Sequence, residues 1–193
     1  MIEIIPAILP RSSEDLESAL DSLNDSTFYV HLDVLERDVW SEIDAEFEVH
    51  LMVDDPEVLM CRWVDRGAKR IIVHQLNEDI LTHRGIVEIG LGVALDTPLS
   101  NLLDLVNHVD FLHLMSIAEM GEQGHAFDRR IFDRIKEVRR MFGDIVISID
   151  GGITLEKADE LIADGIDRLI IGSAIFGKDN PEREYKKFLE LAN

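Results

Sequence analysis

The sequence predicts an α/β fold in which eight parallel strands close into a barrel with helices on its outside. Short apolar runs alternate along the chain with amphipathic helical patterns, which indicates a parallel sheet covered on both faces. Eight such runs suit a closed (β/α)8 barrel, the TIM barrel, better than an open doubly wound sheet. The 193 residues are enough for one domain, which we expect to span residues 1–193.

The predicted strands are short apolar runs bounded by polar or turn-forming residues. They are Glu3–Leu9, Phe28–Leu35, Phe47–Val53, Arg70–His74, Gly90–Leu95, Phe111–Ile117, Ile145–Asp150 and Arg168–Gly172. Between most of them, capping residues mark where helices begin: Ser12 or Ser13, Asp54 or Asp55 before Pro56, Thr154, and Asn180 before Pro181. The pattern over Phe127–Phe142 predicts a longer helix that ends at Gly143.

The chain is short for this fold, because such barrels typically need about 250 residues. The missing length lies after the second strand. Between Asp33 and His50 there is too little room for a loop, a full helix and a return to the next strand. We therefore predict that the helix after strand two is lost or vestigial. The connection over Leu76–Glu88 is also brief.

The composition is strongly acidic, with 39 Asp and Glu residues against 19 Lys and Arg residues. This balance disfavours nucleic acid and anionic membranes as partners, since both attract basic patches. No apolar run approaches the ~18 residues of a membrane span, and the N-terminus lacks the features of a signal peptide. A single cysteine, Cys61, excludes an intrachain disulfide. We expect a cytoplasmic protein whose partner is a small molecule.

Four polar residues at strand ends predict a metal site. His31 and Asp33 share one face of strand two, because side chains alternate along a strand. His50 lies near the end of strand three and Asp150 ends strand seven, and these ends meet at the rim where barrels carry active sites. Two histidines and two carboxylates suit Zn²⁺, Fe²⁺ or Mn²⁺. A lone strand histidine is more often a core residue, but four such residues together favour a metal.

Glycines after the last two strands predict a phosphate site. Gly151 and Gly152 follow strand seven, and Gly172 and Ser173 follow strand eight. Barrels of this type commonly bind phosphate here through backbone N–H groups and the N-terminus of a short helix. Either pair alone would be explained by a tight turn. Their joint placement favours phosphate binding.

A series of segments along almost the whole chain resembles one known family. They are Ile5–Leu9, Val30–Val34, Val49–Val53, Val93–Leu99, Val109–Asp110 with Leu114–Ile117, Asp150–Ile153 and Gly172–Phe176. Together they resemble the ribulose-phosphate 3-epimerases. The segments His31-Leu32-Asp33 and His50-Leu51-Met52 are the most distinctive, whereas the last two segments are common among phosphate-binding barrels.

The resemblance implies a metal-dependent reaction on ribulose 5-phosphate. In the family, the metal holds the C2 carbonyl and C3 hydroxyl oxygens and stabilises an enediolate. Carried over to this chain, Asp33 removes the C3 proton from one face and Asp150 returns a proton to the other, while both also bind the metal. Met52 and Met115 match methionines that line the reacting centre. Filling the core with polarizable side chains would explain them equally well.

The chain departs from the family pattern at several positions. Ala7 replaces a serine near the substrate, and Leu35 replaces a third methionine. The loop after strand six has the sequence Glu119-Met120-Gly121-Glu122-Gln123-Gly124-His125 where the family has Pro-Gly-Phe-Gly-Gly-Gln. We expect Gly121 and Gly124 to preserve part of the phosphate contact.

Two alternatives to this reaction stay open. One is an epimerase for another sugar phosphate, such as a hexulose 6-phosphate, and the other is a non-catalytic barrel that binds metal or phosphate. A decarboxylase or aldolase is disfavoured, because strand three lacks the Asp-x-Lys-x-x-Asp motif of that branch. We expect a structural or supporting role for His74 and a place inside the barrel for His113. Apolar surface left by the missing helix predicts a homo-oligomer.

Overall fold

A computed structural model shows the predicted closed barrel of parallel strands. It describes residues 2–24, 26–35, 37–118 and 126–192. The strands are β1 (Glu3–Ile8), β2 (Tyr29–Val34), β3 (Glu46–Leu51), β4 (Arg70–Val73), β5 (Glu88–Val93), β6 (Phe111–Met115), β7 (Val146–Asp150) and β8 (Arg168–Ile171). Each strand pairs with the next, and β1 pairs with β8 to close the barrel. The (β/α)8 prediction is confirmed.

The helices lie on the outside of the barrel, and the five that the sequence predicts are among them. They are α1 (Ser13–Asp21), α2 (Pro56–Asp65), α3 (Glu78–Leu81), α4 (Arg130–Phe142), α5 (Leu155–Ala163), α6 (Ser173–Phe176) and α7 (Pro181–Leu191). The predicted caps Ser12, Thr154 and Asn180 each accept a backbone N–H from the first helical turn. In the described part of the chain, no helix is long and apolar enough to cross a membrane.

The start of α4 differs from the prediction by about one turn. The apolar pattern placed it at Phe127, whereas α4 begins at Arg130. The Asp128 N–H donates to the Ser116 carbonyl oxygen at 2.8 Å, which holds this segment against the end of β6. The Asp128 carboxylate then accepts the Arg130 N–H at 2.9 Å. These contacts satisfy the backbone before the helix begins.

The connection from β2 to β3 contains no helix among its described residues, as predicted. An aromatic cluster takes its place. The Trp40 ring lies 5.3 Å from the Phe47 ring and 5.4 Å from the Trp63 ring of α2, between centroids. The Arg66 guanidinium lies over both indole rings and pairs with Asp38. A few large side chains thus cover this flank of the barrel.

The connection from β5 to β6 is also short, which the sequence did not predict. Within it, short 3₁₀ turns over Leu99–Leu102 and Val106–His108 take the place of an α-helix. Leu99 and Leu102 are buried against the barrel. These turns, with the four-residue α3, account for more of the missing length.

The inside of the barrel is unusually polar. Side chains that point outward from the strands form a large apolar core with the helices. The buried polar side chains of the inward-facing positions are His31, Glu48, His50, His113, Ser148 and Arg168. At the amino-terminal end of the barrel, Arg70 and Arg168 lie among glutamates that neutralise them. The inside of the barrel therefore contains charged and polar side chains that can support a buried polar site.

Candidate metal centre

The four predicted ligands lie together at the carboxyl end of the barrel. Asp33 and His50 are directly paired across β2 and β3. Asp33 Oδ1 is 3.2 Å from His31 Nε2 and 3.4 Å from His50 Nδ1. Asp150 Oδ2 is 3.8 Å from the same His50 nitrogen. The two carboxylates thus approach His50 from β2 on one side and β7 on the other.

A third histidine, His113 of β6, completes this group. Its Nε2 lies 3.4 Å from Asp150 Oδ2, and its ring is stacked on His31 at 5.5 Å between centroids. Ligand atoms of His31, His50, His113 and Asp150 all lie within 4.8 Å of one another. The sequence did not identify His113 as a ligand. The sequence feature that could have indicated its position is the spacing of two residues from Met115, because residues two apart on a strand have side chains on the same face.

The two carboxylates have opposite electrostatic environments. Burial alone would raise the pKa of Asp33, but its contacts with His31 and His50 outweigh burial and hold that pKa well below the usual range. Burial raises the pKa of Asp150 to about 6, and the negative charge of Asp33 adds to this rise. One carboxylate is therefore held ionised, while the other takes up a proton much more readily than an ordinary aspartate.

The histidines also differ in charge. Burial lowers the pKa of His31, but its contacts with Asp33 and Glu48 outweigh burial and raise it to about 10. Burial lowers the pKa of His113 to about 3, with a further contribution from the charge of His31. Burial likewise lowers the pKa of His50. Two of the three rings are thus neutral, which is the form that binds metals.

The donor set fits a divalent cation. His50 Nδ1 is buried and forms no hydrogen bond, although it lies between oxygens of Asp33 and Asp150. A buried polar atom without a partner is costly. A cation among these atoms would satisfy the nitrogen and both carboxylates at once. Imidazole nitrogens with carboxylate oxygens are typical ligands of Zn²⁺, Fe²⁺ and Mn²⁺.

The glycines after β7 form a tight turn beside this centre. Gly151 and Gly152 have φ values of 116° and 64°, which L side chains rarely adopt. A Cβ at Gly151 would also lie 2.8 Å from the Ile117 side chain. The Ser116 hydroxyl donates to the Asp150 and Gly151 carbonyl oxygens, at 2.9 and 2.6 Å. This turn fixes the end of β7, and with it Asp150.

The other residues predicted to bind the substrate or its phosphate lie on several different elements. Gly172 and Ser173 lie at the start of α6, directly after β8. Met115 is buried and paired with Asp150 across β6 and β7, while Met52 is half-buried and follows β3. Gly121 and Gly124 lie outside the described residues. The assigned roles of these six residues stay predictions.

Ala7 occupies a position that faces the centre. It is buried and paired with His31 across β1 and β2, and it packs with Ile5 and Ile170. The inner wall on this side is therefore apolar where the family pattern has a serine.

Comparison with known proteins decides the family. The model of the "Ribulose-phosphate 3 epimerase family" matches residues 30–176, from β2 with its two site residues to α6. The chain belongs to the ribulose-phosphate 3 epimerase family. It is accordingly an isomerase-class enzyme by family, as the sequence resemblance predicted.

Relatives named ribulose-phosphate 3-epimerase support this membership. The chain is 31% identical to the one from Mycobacterium leprae over 72% of this chain and 66% of that protein, just under two thirds of its length. It is 26% identical to the one from Bacillus subtilis over 95% of this chain and 96% of that protein. A solved 3-hexulose-6-phosphate synthase from Salmonella typhimurium has a TM-score of 0.71 at 15% identity, over 98% of both chains, which shows the barrel fold alone.

Proposed function

We propose that the protein is a metal-dependent epimerase that inverts C3 of a ketose phosphate, converting D-ribulose 5-phosphate to D-xylulose 5-phosphate. The observation that carries this proposal is the pair Asp33 and Asp150, whose pKa values are shifted in opposite directions beside a cluster of histidines. Titratable groups with separated pKa values are typical of acid and base pairs. The names of the relatives supply the substrate class.

In this mechanism the two carboxylates divide the proton transfer. Asp33, held ionised, accepts the C3 proton of the substrate from one face. Asp150, whose raised pKa makes its protonated form accessible, donates a proton to the opposite face. Removal from one face and return to the other inverts the carbon. In the reverse direction the two residues exchange roles.

His31, Asp33, His50 and Asp150 would hold the divalent cation, with His113 beside them. We propose Zn²⁺, Fe²⁺ or Mn²⁺. When bound, the cation supplies Lewis acidity that stabilises the enediolate charge. The barrel buries His31, His50 and His113, so the charges of the site interact where water is largely excluded.

The phosphate of the substrate would bind next to the metal centre. We propose that backbone groups of Gly151, Gly152, Gly172 and Ser173 hold it, since these residues follow β7 and β8. Gly121 and Gly124 remain further candidates from the sequence. Met115, beside Asp150, and Met52 would form apolar walls around the reacting carbon.

The proposed function is tested by product analysis. Protein reconstituted with Mn²⁺, Zn²⁺ or Fe²⁺ is incubated with D-ribulose 5-phosphate, a hexulose 6-phosphate and other ketose phosphates. We expect D-xylulose 5-phosphate as the fastest-formed product. Faster inversion of another ketose phosphate would establish the second candidate, which the altered inner wall at Ala7 supports. If every substrate is bound without inversion, the protein is a non-catalytic barrel and the proposal fails.

We further propose that the protein acts in the cytoplasm as a homo-oligomer. Phe28, which is 76% exposed, lies beside the connection that lacks a helix. Sedimentation of the purified chain tests the proposal, and a monomer at micromolar concentration would contradict it.

A further inference from the structure

His113 of β6 lies at the metal centre, but the proposed reaction gives it no role. Its ring is fully buried, and its Nε2 lies 3.4 Å from Asp150 Oδ2. An N–H···O hydrogen bond usually spans about 2.7–3.2 Å between its heavy atoms. Two ligand atoms of one cation, each about 2.1 Å from it, are about 3.0–3.4 Å apart in octahedral or tetrahedral coordination. The distance between His113 and Asp150 therefore suits two ligands of one cation better than a hydrogen-bonded pair.

His113 has the same relation to Asp150 as His31 has to Asp33. His31 Nε2 lies 3.2 Å from Asp33 Oδ1, and His50 Nδ1 lies between the two carboxylates, at 3.4 Å from Asp33 and 3.8 Å from Asp150. Each aspartate thus has one histidine of its own, and His50 is shared. If the contact with Asp33 makes His31 a candidate ligand, the equivalent contact with Asp150 makes His113 one.

The rear of the His113 ring is held by the neighbouring strand. Its Nδ1 lies 3.2 Å from the Ser148 hydroxyl oxygen, and both residues are fully buried. His113 is paired with Ser148 across β6 and β7, and Met115 is paired with Asp150 two residues further along. A hydroxyl can accept a proton from Nδ1, which is the arrangement that a ring bound to a cation through Nε2 requires. Partners of this kind commonly orient metal-binding histidines.

A third imidazole changes which cation the centre favours. The ligands predicted from the sequence are two imidazoles and two carboxylates, and a group of close ligand atoms in the structure includes three imidazoles. Imidazole nitrogens suit Zn²⁺ and Fe²⁺, whereas carboxylate and water oxygens suit Mn²⁺. Each added nitrogen ligand therefore favours Zn²⁺ and Fe²⁺ over Mn²⁺.

We propose that His113 is a ligand of the cation, in addition to the residues predicted from the sequence, and that this third imidazole makes the centre selective for Zn²⁺ and Fe²⁺ over Mn²⁺. This inference rests on the proposed function, because that function supplies the cation. The alternative is a core histidine that packs beside Asp150 without binding the cation. The two differ in the number of imidazoles that a bound cation contacts.

The first test counts these imidazoles. The full chain, treated with a chelator and loaded with one equivalent of Co²⁺, is measured by ¹H NMR in H₂O and in D₂O. An imidazole bound to Co²⁺ through one nitrogen has a proton on the other, which gives one strongly shifted signal that exchanges with D₂O. We expect three such signals in the parent protein and two in His113→Leu. The count in the parent decides even if the variant does not fold.

The second test measures the affinities for Zn²⁺ and Mn²⁺ by competition with a coloured chelator. Loss of a partner behind a metal ligand typically weakens binding by about 10–100-fold. Loss of the ligand itself in His113→Leu should weaken Zn²⁺ binding by at least about 100-fold, and Mn²⁺ binding by less. Ser148→Ala should weaken Zn²⁺ binding by about tenfold. The control His108→Asn, at an exposed histidine, should bind both cations like the parent.

The outcomes separate this inference from the proposed function. Two shifted signals in the parent, or three that persist in His113→Leu, would refute the ligand role. Equal losses of Zn²⁺ and Mn²⁺ affinity in His113→Leu would refute the selectivity. Two signals in a parent that forms D-xylulose 5-phosphate refute this inference alone, whereas three signals without inversion of any ketose phosphate refute the proposed function alone. A parent that binds no cation refutes both.

Discussion

At the scale of single residues, two aspartates of the same chemistry differ because their neighbours differ. Asp33 lies within 3.4 Å of two histidines, and these contacts stabilise its charged form. Asp150 is half-buried, and its partial removal from water and the charge of Asp33 both disfavour its ionisation. The environment therefore assigns the base and the acid of the proposed reaction.

Replacing the two aspartates should produce different losses. In D₂O, Asp150→Asn should still exchange the C3 proton of D-ribulose 5-phosphate but form little D-xylulose 5-phosphate. Asp33→Asn should lose both exchange and product formation from this substrate. A positioned acid or base contributes about 10²–10⁴-fold in rate, and NMR measures both processes. The exposed Asp54→Asn is the control, and parent-like turnover in either test variant contradicts the assignment.

Glu48 should matter for folding as much as for the site. It is buried, accepts from His31 and pairs with Arg70. Glu48→Ala leaves the buried His31 Nδ1 without its carboxylate partner and removes one of the glutamates that pair with Arg70, so we expect it to lower the free energy of unfolding by about 3 kcal/mol. Urea denaturation measures this loss. The control Glu46→Ala, on the same strand but exposed, should change stability by at most about 1 kcal/mol, and equal effects of the two variants would refute the argument.

At the scale of elements, a cluster of side chains takes the place of the helix after β2. Trp40 packs against Phe47 and Trp63, and Arg66 stacks on both tryptophans. The connection is thereby anchored by packing instead of by helical hydrogen bonds. It leads into β3, which carries His50.

Trp40→Ala should loosen this connection. Removing a half-buried indole takes away apolar contact and the surface on which Arg66 stacks, so we expect a loss of about 2 kcal/mol in the free energy of unfolding. Urea denaturation and limited proteolysis at residues 37–45 are the measurements. Trp40→Phe, which keeps an aromatic ring, is the control and should lose less. Unchanged protease resistance in Trp40→Ala would show that the cluster does not anchor the segment.

Most strands were predictable from the sequence, because apolar runs with turn signals define strands buried on both faces. The start of β5 was not. The sequence placed it at Gly90, whereas β5 begins at Glu88. A charged residue suggests a loop, but Glu88 lies at the end of the barrel beside Arg70 and Arg168. Such pairing joins distant strands, so no local pattern shows it.

At the scale of the whole molecule, polar contacts run through the inside of the barrel. Arg70 pairs with Glu48, Glu48 contacts His31, and His31 contacts Asp33 at the carboxyl end. The sequence predicted the four residues at strand ends because alternation and parallel topology bring them together. It placed His113 inside the barrel but not in the ligand group, since the contacts of His113 with His31 and Asp150 depend on the closed barrel and not on its own strand.

A bound cation should stabilise the whole domain. Because the unfolded chain has no such site, cation at ~100 times its Kd adds about 2.7 kcal/mol. For a chain of this size that corresponds to a rise in Tm of roughly 5–10 °C. Thermal unfolding of chelator-treated protein, with and without Zn²⁺ or Mn²⁺, measures the shift. The double variant His50→Ala/Asp150→Ala is the control, and an equal rise there would locate the cation elsewhere.

The most direct test of the account is where solvent deuterium enters the product. Metal-reconstituted protein is incubated with D-ribulose 5-phosphate in D₂O, and the D-xylulose 5-phosphate formed is analysed by ¹H NMR. The account predicts deuterium at C3 and none at C1, because Asp33 removes the C3 proton and Asp150 supplies one from solvent. Product without deuterium at C3, or with deuterium at C1, would contradict it.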